Sequence, residues 1–390
     1  MTNSSPRLPR NVRLLGWASL LNDIASEMVY PLLPQFLITV LGGTRMHLGV
    51  IEGIAESTAS LLKLWSGALS DRLGRRKQLV VAGYSVACLV RPVMAMISAP
   101  WQLFLLRTTD RVGKGIRTSP RDALIADSTP PDQRGRAFGF HRAMDHLGAA
   151  IGPLLAMLFL WLRPDDLRTL FLLTLVPGLA VIAVVLFGLR ETDSVTAPSE
   201  PVRLTLAPFG RSFRIFLVAL VLFTLGNSSD AFLLVRAGEL GVPTWQLPLL
   251  WLAFHLAKSG GNVWLGRWVD RVGARLPITI GWLIYALVYL AFGFADAAWH
   301  AWALFLVYAL FYALTEPAEK SLVTELAGPE RKGLAFGWFH FAIGVSALPS
   351  SLIFGVLYER SGAAVAFGWG AALSMLALGL LGFVSPPQET

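Results

Sequence analysis

Five cations, Arg107, Arg111, Lys114, Arg117 and Arg121, stand in the stretch RTTDRVGKGIRTSPRD, from Arg107 to Asp122. Their spacing of 4, 3, 3 and 4 residues places all five on one face of a helix. The opposite face carries Leu105, Val112, Ile116 and Ala123. A row of guanidinium and ammonium groups suits a carboxylate or phosphate. A phosphate-cradling loop would need GxxxxGK[ST] after a strand, and RVGKGIRT has neither the spacing nor the strand. The stripe therefore has to be placed by the helix that carries it.

Other ionisable residues sit in apolar surroundings. Asp23 and Glu27 are spaced i, i+4. Glu52, Glu56 and Lys63 share a face, as do His141, Asp145, Gly148 and Gly152, and as do His255, Lys258 and Asn262. Tyr308, Tyr312, Glu316 and Glu319 follow one another later in the chain. Some of these charges offset one another structurally: Glu56 with Lys63, Asp110 with Lys114, Arg142 with Asp145. Arg91 reads as a snorkelling arginine near the end of its helix, and His340 as a core histidine.

The elements that position these groups are membrane helices. Of 390 residues 54% are hydrophobic and 15% charged, against about 25% charged in soluble domains. The net charge is +8. In a soluble protein that would suggest nucleic acid; here it fits the Lys/Arg-rich inner loops of a membrane protein. The single cysteine, Cys88, allows no disulfide within the chain. The polar, basic start MTNSSPRLPRNVR is not a cleavable leader. Apolar runs near 20 residues long give about twelve spans: 14–41, 47–69, 78–98, 101–125, 137–162, 168–189, 213–236, 246–268, 277–297, 299–323, 334–358 and 362–384. The stretch 190–212 reads as a linker between two six-helix bundles, 14–189 and 213–384, with tails at 1–13 and 385–390. With the N-terminus inside, the inner loops hold DRLGRRK, DQRGR and PERKG and so most of the loop cations, which places both termini in the cytoplasm. Trp101, Trp245, Trp299 and Trp302 lie near span ends, as an interfacial belt does.

The halves repeat each other. GALSDRLGRRK (67–77) recurs as GRWVDRVGARL (266–276), at an offset of 199, and DQRGRAFGF (132–140) as ERKGLAFGW (330–338), at 198. One six-helix unit was duplicated in the same orientation. At offset 198 the stretch 107–122 falls on FLVYALFYALTEPAEK (305–320), which begins as a membrane span. The cationic stripe thus belongs at membrane depth, where an ionisable group is a functional candidate by default.

GALSDRLGRRK resembles the signature of the major facilitator superfamily, G-x-x-x-D-R-x-G-R-[KR]-[KR], through Gly67, Asp71, Arg72, Gly74, Arg75, Arg76 and Lys77. The resemblance covers the whole chain and implies two six-helix bundles rocking around a central site. It implies a conformational latch at Asp71, Arg72 and Arg75, with Arg75 bridging Asp71 to Asp127. GAAIGP (148–153) resembles the helix-five motif of proton-driven exporters through Gly148, Gly152 and Pro153, although LLAM replaces the glycine pair that usually continues it. Arg107 resembles the fourth-helix arginine linked to proton coupling, and Arg111 also fits that motif.

Together these observations point to a secondary transporter in the bacterial inner membrane, multi-pass, monomeric, without cofactor or metal. The substrate class is a small organic anion or zwitterion, and the driving reaction is proton antiport with efflux. The substrate would meet Arg107, Arg111, Lys114, His255, Lys258, Tyr308 and Tyr312. Asp23, Glu27, Glu56 and Asp145 would carry protons, since burial favours the neutral carboxyl. The rivals are proton-coupled uptake of an organic anion and, from another class, a non-transporting membrane sensor or scaffold. A membrane-embedded hydrolase lacks a nucleophile motif.

Overall fold

The computed structural model describes residues 8–130, 133–192, 205–327 and 332–384. The side chains of Asp71, Arg72, Asn262 and Asp270 lie outside the described residues, as do most of the linker, the extreme tails and residues 328–331, which include the PER of PERKG.

Long helices dominate. In chain order they are α1 (Arg10–Val29), α2 (Arg45–Leu73), α3 (Arg76–Val93), α4 (Pro100–Asp127), α5 (Arg134–Leu162), α6 (Leu167–Leu173) and α7 (Leu175–Ala183). There follow α8 (Arg211–Gly226), α9 (Ala231–Glu239), α10 (Leu247–Val272), α11 (Arg275–Phe294), α12 (Ala298–Ala327) and α13 (Lys332–Leu381), the last interrupted at Gly362. No strand occurs among the described residues. Seven helical stretches there are long and apolar enough to cross a membrane, Arg76–Met96, Leu167–Gly188 and Arg211–Glu239 among them. Other long helices, among them α2 with 29 residues, α4 with 28 and α10 with 26, reach far enough but carry several charges. Trp101 and Trp299 stand at the starts of α4 and α12, 63% and 67% exposed, at positions that the 198 offset makes equivalent.

Contacts divide the chain into Met1–Tyr30 with Thr58–Glu200, and Pro31–Ser57 with Pro201–Thr390. The division departs from a cut at the linker because the first half of α2 packs into the second unit. Gly49 and Gly53 lie so close to Ser351 and Leu348 that an added Cβ would come within 2.4 Å of the Ser351 carbonyl oxygen and 3.0 Å of the Leu348 backbone. Arg45, at the start of α2, is held between Glu239 (2.5 Å) and Glu359 (3.6 Å).

In the first unit α3 packs along α4 and α1 along α5. The GAAIGP stretch makes the second packing possible. A Cβ on Gly148 would stand 2.4 Å from the Leu20 carbonyl oxygen, and one on Gly152 2.7 Å from that of Ile24. Two glycines four apart let the helix backbones touch, the small-xxx-small device of membrane helices. Val12, Leu15, Val80, Tyr84, Leu124 and Val181 fill the core beside them.

In the second unit α8 packs on α13, and α11 on both α12 and α13. Its core is aromatic: Phe223 stacks on Trp282 at 4.6 Å and Tyr285 on Tyr289 at 4.1 Å. The repeat is visible in the backbone. Gly74, just past the end of α2, has φ +60°, and Gly273, its partner at offset 199, has φ +80°. Both turns need a left-handed residue, which glycine supplies without a steric penalty.

Candidate functional site

Each unit holds a buried polar centre. In the first, α4 presents its cationic face inward: Arg107, Arg111 and Arg117 are buried, while Leu105 on the opposite face is exposed. Asp110 is the hub. It takes Arg91 of α3 at 3.0 Å, Arg111 at 3.4 Å and Arg107 at 3.7 Å. Arg91 also donates to the Asn22 side chain at 3.0 Å and to its backbone carbonyl at 3.1 Å, which ties α1 to α3 and α4. Charges this dry persist only where they are paired and hydrogen-bonded.

Asn22 passes the network on, donating to Asp23 at 2.8 Å. Arg117, Glu27 and Asp145 stand close enough to act on Asp23 electrostatically. Asp145 accepts from Ser19 and lies 3.5 Å from His141. The Arg107 guanidinium lies 4.9 Å from the centroid of the Tyr30 ring, and that of Arg117 lies 4.3 Å from Tyr84. Arg117 is 5% exposed, yet its Nε and Nη1 have no hydrogen-bond partner among the described residues. Fixed positive charge with unused donors, beside a group of carboxyls, can hold an anion and respond to protonation of those carboxyls.

The second unit's centre is built where the Arg211–Glu239 span is broken, between α8 and α9. Asp230 sits at the break and accepts from Tyr308 at 2.8 Å and from Tyr312 at 3.3 Å and 3.2 Å. Lys258 lies 4.1 Å from the Tyr312 ring centroid and 3.4 Å from Glu316. Glu56 acts on Asp230 electrostatically, and Glu52, 2% exposed, accepts from Ser229 at 3.4 Å. His255 packs edge-on against Trp251 and Phe254. Broken helices with polar groups at the break are a recurring way for transporters to build a site in apolar surroundings.

The sequence-predicted residues therefore fall into two groups. Arg107, Arg111, Asp23, Glu27 and Asp145 gather in the first unit, with Lys114 half-buried on the same helix face. Tyr308, Tyr312, Lys258 and Glu56 gather around Asp230 in the second. Four expectations are corrected. Arg76, not Arg75, pairs with Asp127; Arg75 caps the start of α3 and is exposed. Asp110 pairs with three arginines rather than with Lys114. Asp145 pairs with His141 rather than Arg142, which is exposed. His340 is exposed and stacks on Phe336. The Asp71 and Arg72 part of the latch lies outside the described residues.

The roles of Arg91 and Asp230 were the ones missed. Arg91 is 4% exposed, not snorkelling. The signal was its depth: the predicted span continues seven residues beyond it to Ser98, about 10 Å of helix, farther than the side chain reaches. Asp230 did carry a local signal, an acid after the polar run GNSS inside the predicted span 213–236; its partners, from a helix about eighty residues away, did not.

The family model of the Major Facilitator Superfamily matches residues 15–350, and the chain belongs to that superfamily. It is a multi-pass membrane transporter rather than an enzyme. It is 30% identical over 383 residues to an uncharacterized MFS-type transporter of Methanocaldococcus jannaschii, covering 97% of this chain and 95% of the other. It is 25% identical over 373 residues to the multidrug resistance protein MdtH of Klebsiella pneumoniae, covering 92% and 88%. Among solved structures, the nucleoside transporter NupG matches with a TM-score of 0.79 at 12% identity, covering 95% of this chain and 99% of the other; that likeness concerns the fold.

Proposed function

We propose that the chain exports a small organic anion or zwitterion in exchange for protons, by alternating access, from the bacterial inner membrane. Twelve spans with both termini in the cytoplasm complete the reading; the sequence repeat and the inner-loop cations support it. Similarity to multidrug resistance proteins supports export. The observation that carries the proposal is the first unit's centre: Arg117 is buried with unused donors and faces the charge of Asp23, on which Glu27 and Asp145 also act.

The mechanism follows from charge. Exchange requires that proton and substrate occupy the site in turn. Ionised Asp23 and Asp145 hold the cationic end of a zwitterion while the Arg117 guanidinium takes its anionic end. Protons on the carboxyls remove the first contact and release the substrate, and substrate entering from the other side displaces the protons. Arg107, Arg111 and Lys114 complete the positive wall, while Asp110 fixes its geometry. The Tyr308, Tyr312 and Lys258 group, with His255 beside it, is proposed as the second unit's polar contact for substrate. Asp71, Arg72, Gly67 and Gly74 are proposed to belong to the latch, with Arg76 and Asp127 as its described ion pair.

The test is binding of a panel of organic anions and zwitterions to the protein in nanodiscs, at two pH values. Weaker binding at lower pH, and loss of binding in Arg117→Ala, are expected. A panel in which only cations bind, or in which affinity ignores both pH and Arg117, would remove the proposal.

A further inference from the structure

A surface groove of about 520 Å³ lies in the second unit and shares no lining residue with the Asp230 centre; Phe209, Arg211, Arg214, Ile215, Val218 and Leu380 line it, among others. Arg211, Arg214 and Val218 are spaced three and four apart, on one exposed face of α8. Val218 stands about 10 Å farther along the helix than Arg211. This face starts charged and turns apolar over that distance. The other wall is α13, with Leu380 and, one turn deeper, Leu376, which is 60% exposed. A third guanidinium stands at this end of α13, where Arg275 donates to the Gly382 carbonyl at 2.5 Å.

None of the lining residues is acidic. Arg214 spends one nitrogen on the carbonyls of Leu206 (3.2 Å) and Ala207 (3.4 Å), which holds it at the rim. Arg211 begins a helix that enters the apolar Arg211–Glu239 span, so the two arginines stand at the membrane–water boundary. A soluble anion would use the arginines and leave the apolar length of the groove unfilled. A neutral lipid would fill the length and leave two cations without a counter-charge.

We infer that this groove binds an anionic phospholipid. Its phosphate lies against Arg211 and Arg214, and one acyl chain runs inward between Ile215 and Val218 on one side and Leu380 and Leu376 on the other. Basic residues next to a membrane surface gain from anionic lipid, and the matching apolar groove gives the site its shape.

The experiment is native mass spectrometry of the full chain in detergent, titrated separately with dioleoyl phosphatidylglycerol, dioleoyl phosphatidylcholine and glycerol phosphate. The expected result is tight binding of one phosphatidylglycerol, weakened roughly thirtyfold in Arg211→Gln/Arg214→Gln, with phosphatidylcholine binding the same in both proteins. Val218→Trp keeps both charges, closes the apolar half and should also lose the lipid. Arg211→Gln alone, whose side chain bonds to nothing among the described residues, gives the charge test if the double variant unfolds; about fivefold weakening is expected. Equal binding of phosphatidylglycerol by wild type and Arg211→Gln overturns the proposal. So does glycerol phosphate competing as well as the lipid, which would make the site one for a soluble phosphate.

Discussion

Arg91 and Asp110 form a buried ion pair at 3.0 Å, one on α3 and one on α4, each less than 5% exposed. At the repeat offset of 198 their counterparts are Tyr289 and Tyr308, whose rings stand 6.2 Å apart in the core of the second unit. The same place in the duplicated bundle holds a charged pair in one unit and an aromatic pair in the other. The bundle itself therefore has no need of charge there, and the arginines of the first unit call for a functional explanation.

Removing the hub should be worse than removing one spoke. Asp110→Ala leaves Arg91, Arg107 and Arg111 buried without their shared acid, a loss of about 3–5 kcal/mol. Arg91→Met leaves Asp110 with two arginines, and should cost less. Thermal unfolding of the purified variants gives the order; a smaller loss for Asp110→Ala than for Arg91→Met would mean that Asp110 is not the hub.

The GAAIGP glycines should be intolerant of any side chain. Gly148→Ala places a Cβ against the Leu20 carbonyl, and overpacking of this kind costs about 1–3 kcal/mol. Gly139 lies on the same helix with open space around it, so Gly139→Ala should be neutral or stabilising by up to about 1 kcal/mol. Folded yield and melting temperature measure both, and equal effects would contradict the close-packing role.

In the second unit Tyr308→Phe removes a hydrogen bond to Asp230, an interaction with a charged group worth about 1.5–3 kcal/mol. Tyr312→Phe should cost less, because its contacts are longer. Substrate binding together with unfolding separates a site role from a packing role. If Tyr308→Phe leaves both unchanged, the tyrosine does not hold Asp230.

At the end of α4, Arg76→Ala should slow transport, while Arg75→Ala should have the smaller effect, since Arg76 reaches Asp127. The pair is partly exposed, so stability should fall by no more than about 1 kcal/mol. Transport rate in vesicles, normalised to inserted protein, is the readout. An Arg75→Ala defect exceeding that of Arg76→Ala would return the bridge to Arg75.

Much of this was legible in the sequence, for physical reasons. Helical spacing placed the cations of α4 on one face, and the repeat put that face at membrane depth. Gly74 and Gly273 declared the same turn twice. What spacing could not reveal was pairing across helices. Asp110 looked like a neighbour of Lys114 on its own helix, but three arginines, one of them from α3, surround it. Asp145 looked like a partner of Arg142, but helix packing turns it toward Ser19 on α1. Likewise GNSSD marks a polar break in the span 213–236, but that the break faces Tyr308 and Tyr312 is a property of the folded second unit.

The most direct measurement of the central claim is substrate-driven proton movement. Proteoliposomes holding a pH-sensitive dye and an imposed proton gradient are exposed to each organic anion that binds the purified protein. Wild type should dissipate the gradient when a bound substrate is added, whereas Asp23→Asn should bind it more weakly and move no protons. If the anions bind and cross the membrane while the gradient stays intact in wild type, or if Asp23→Asn moves protons as well as wild type does, proton exchange through the first unit's centre is contradicted.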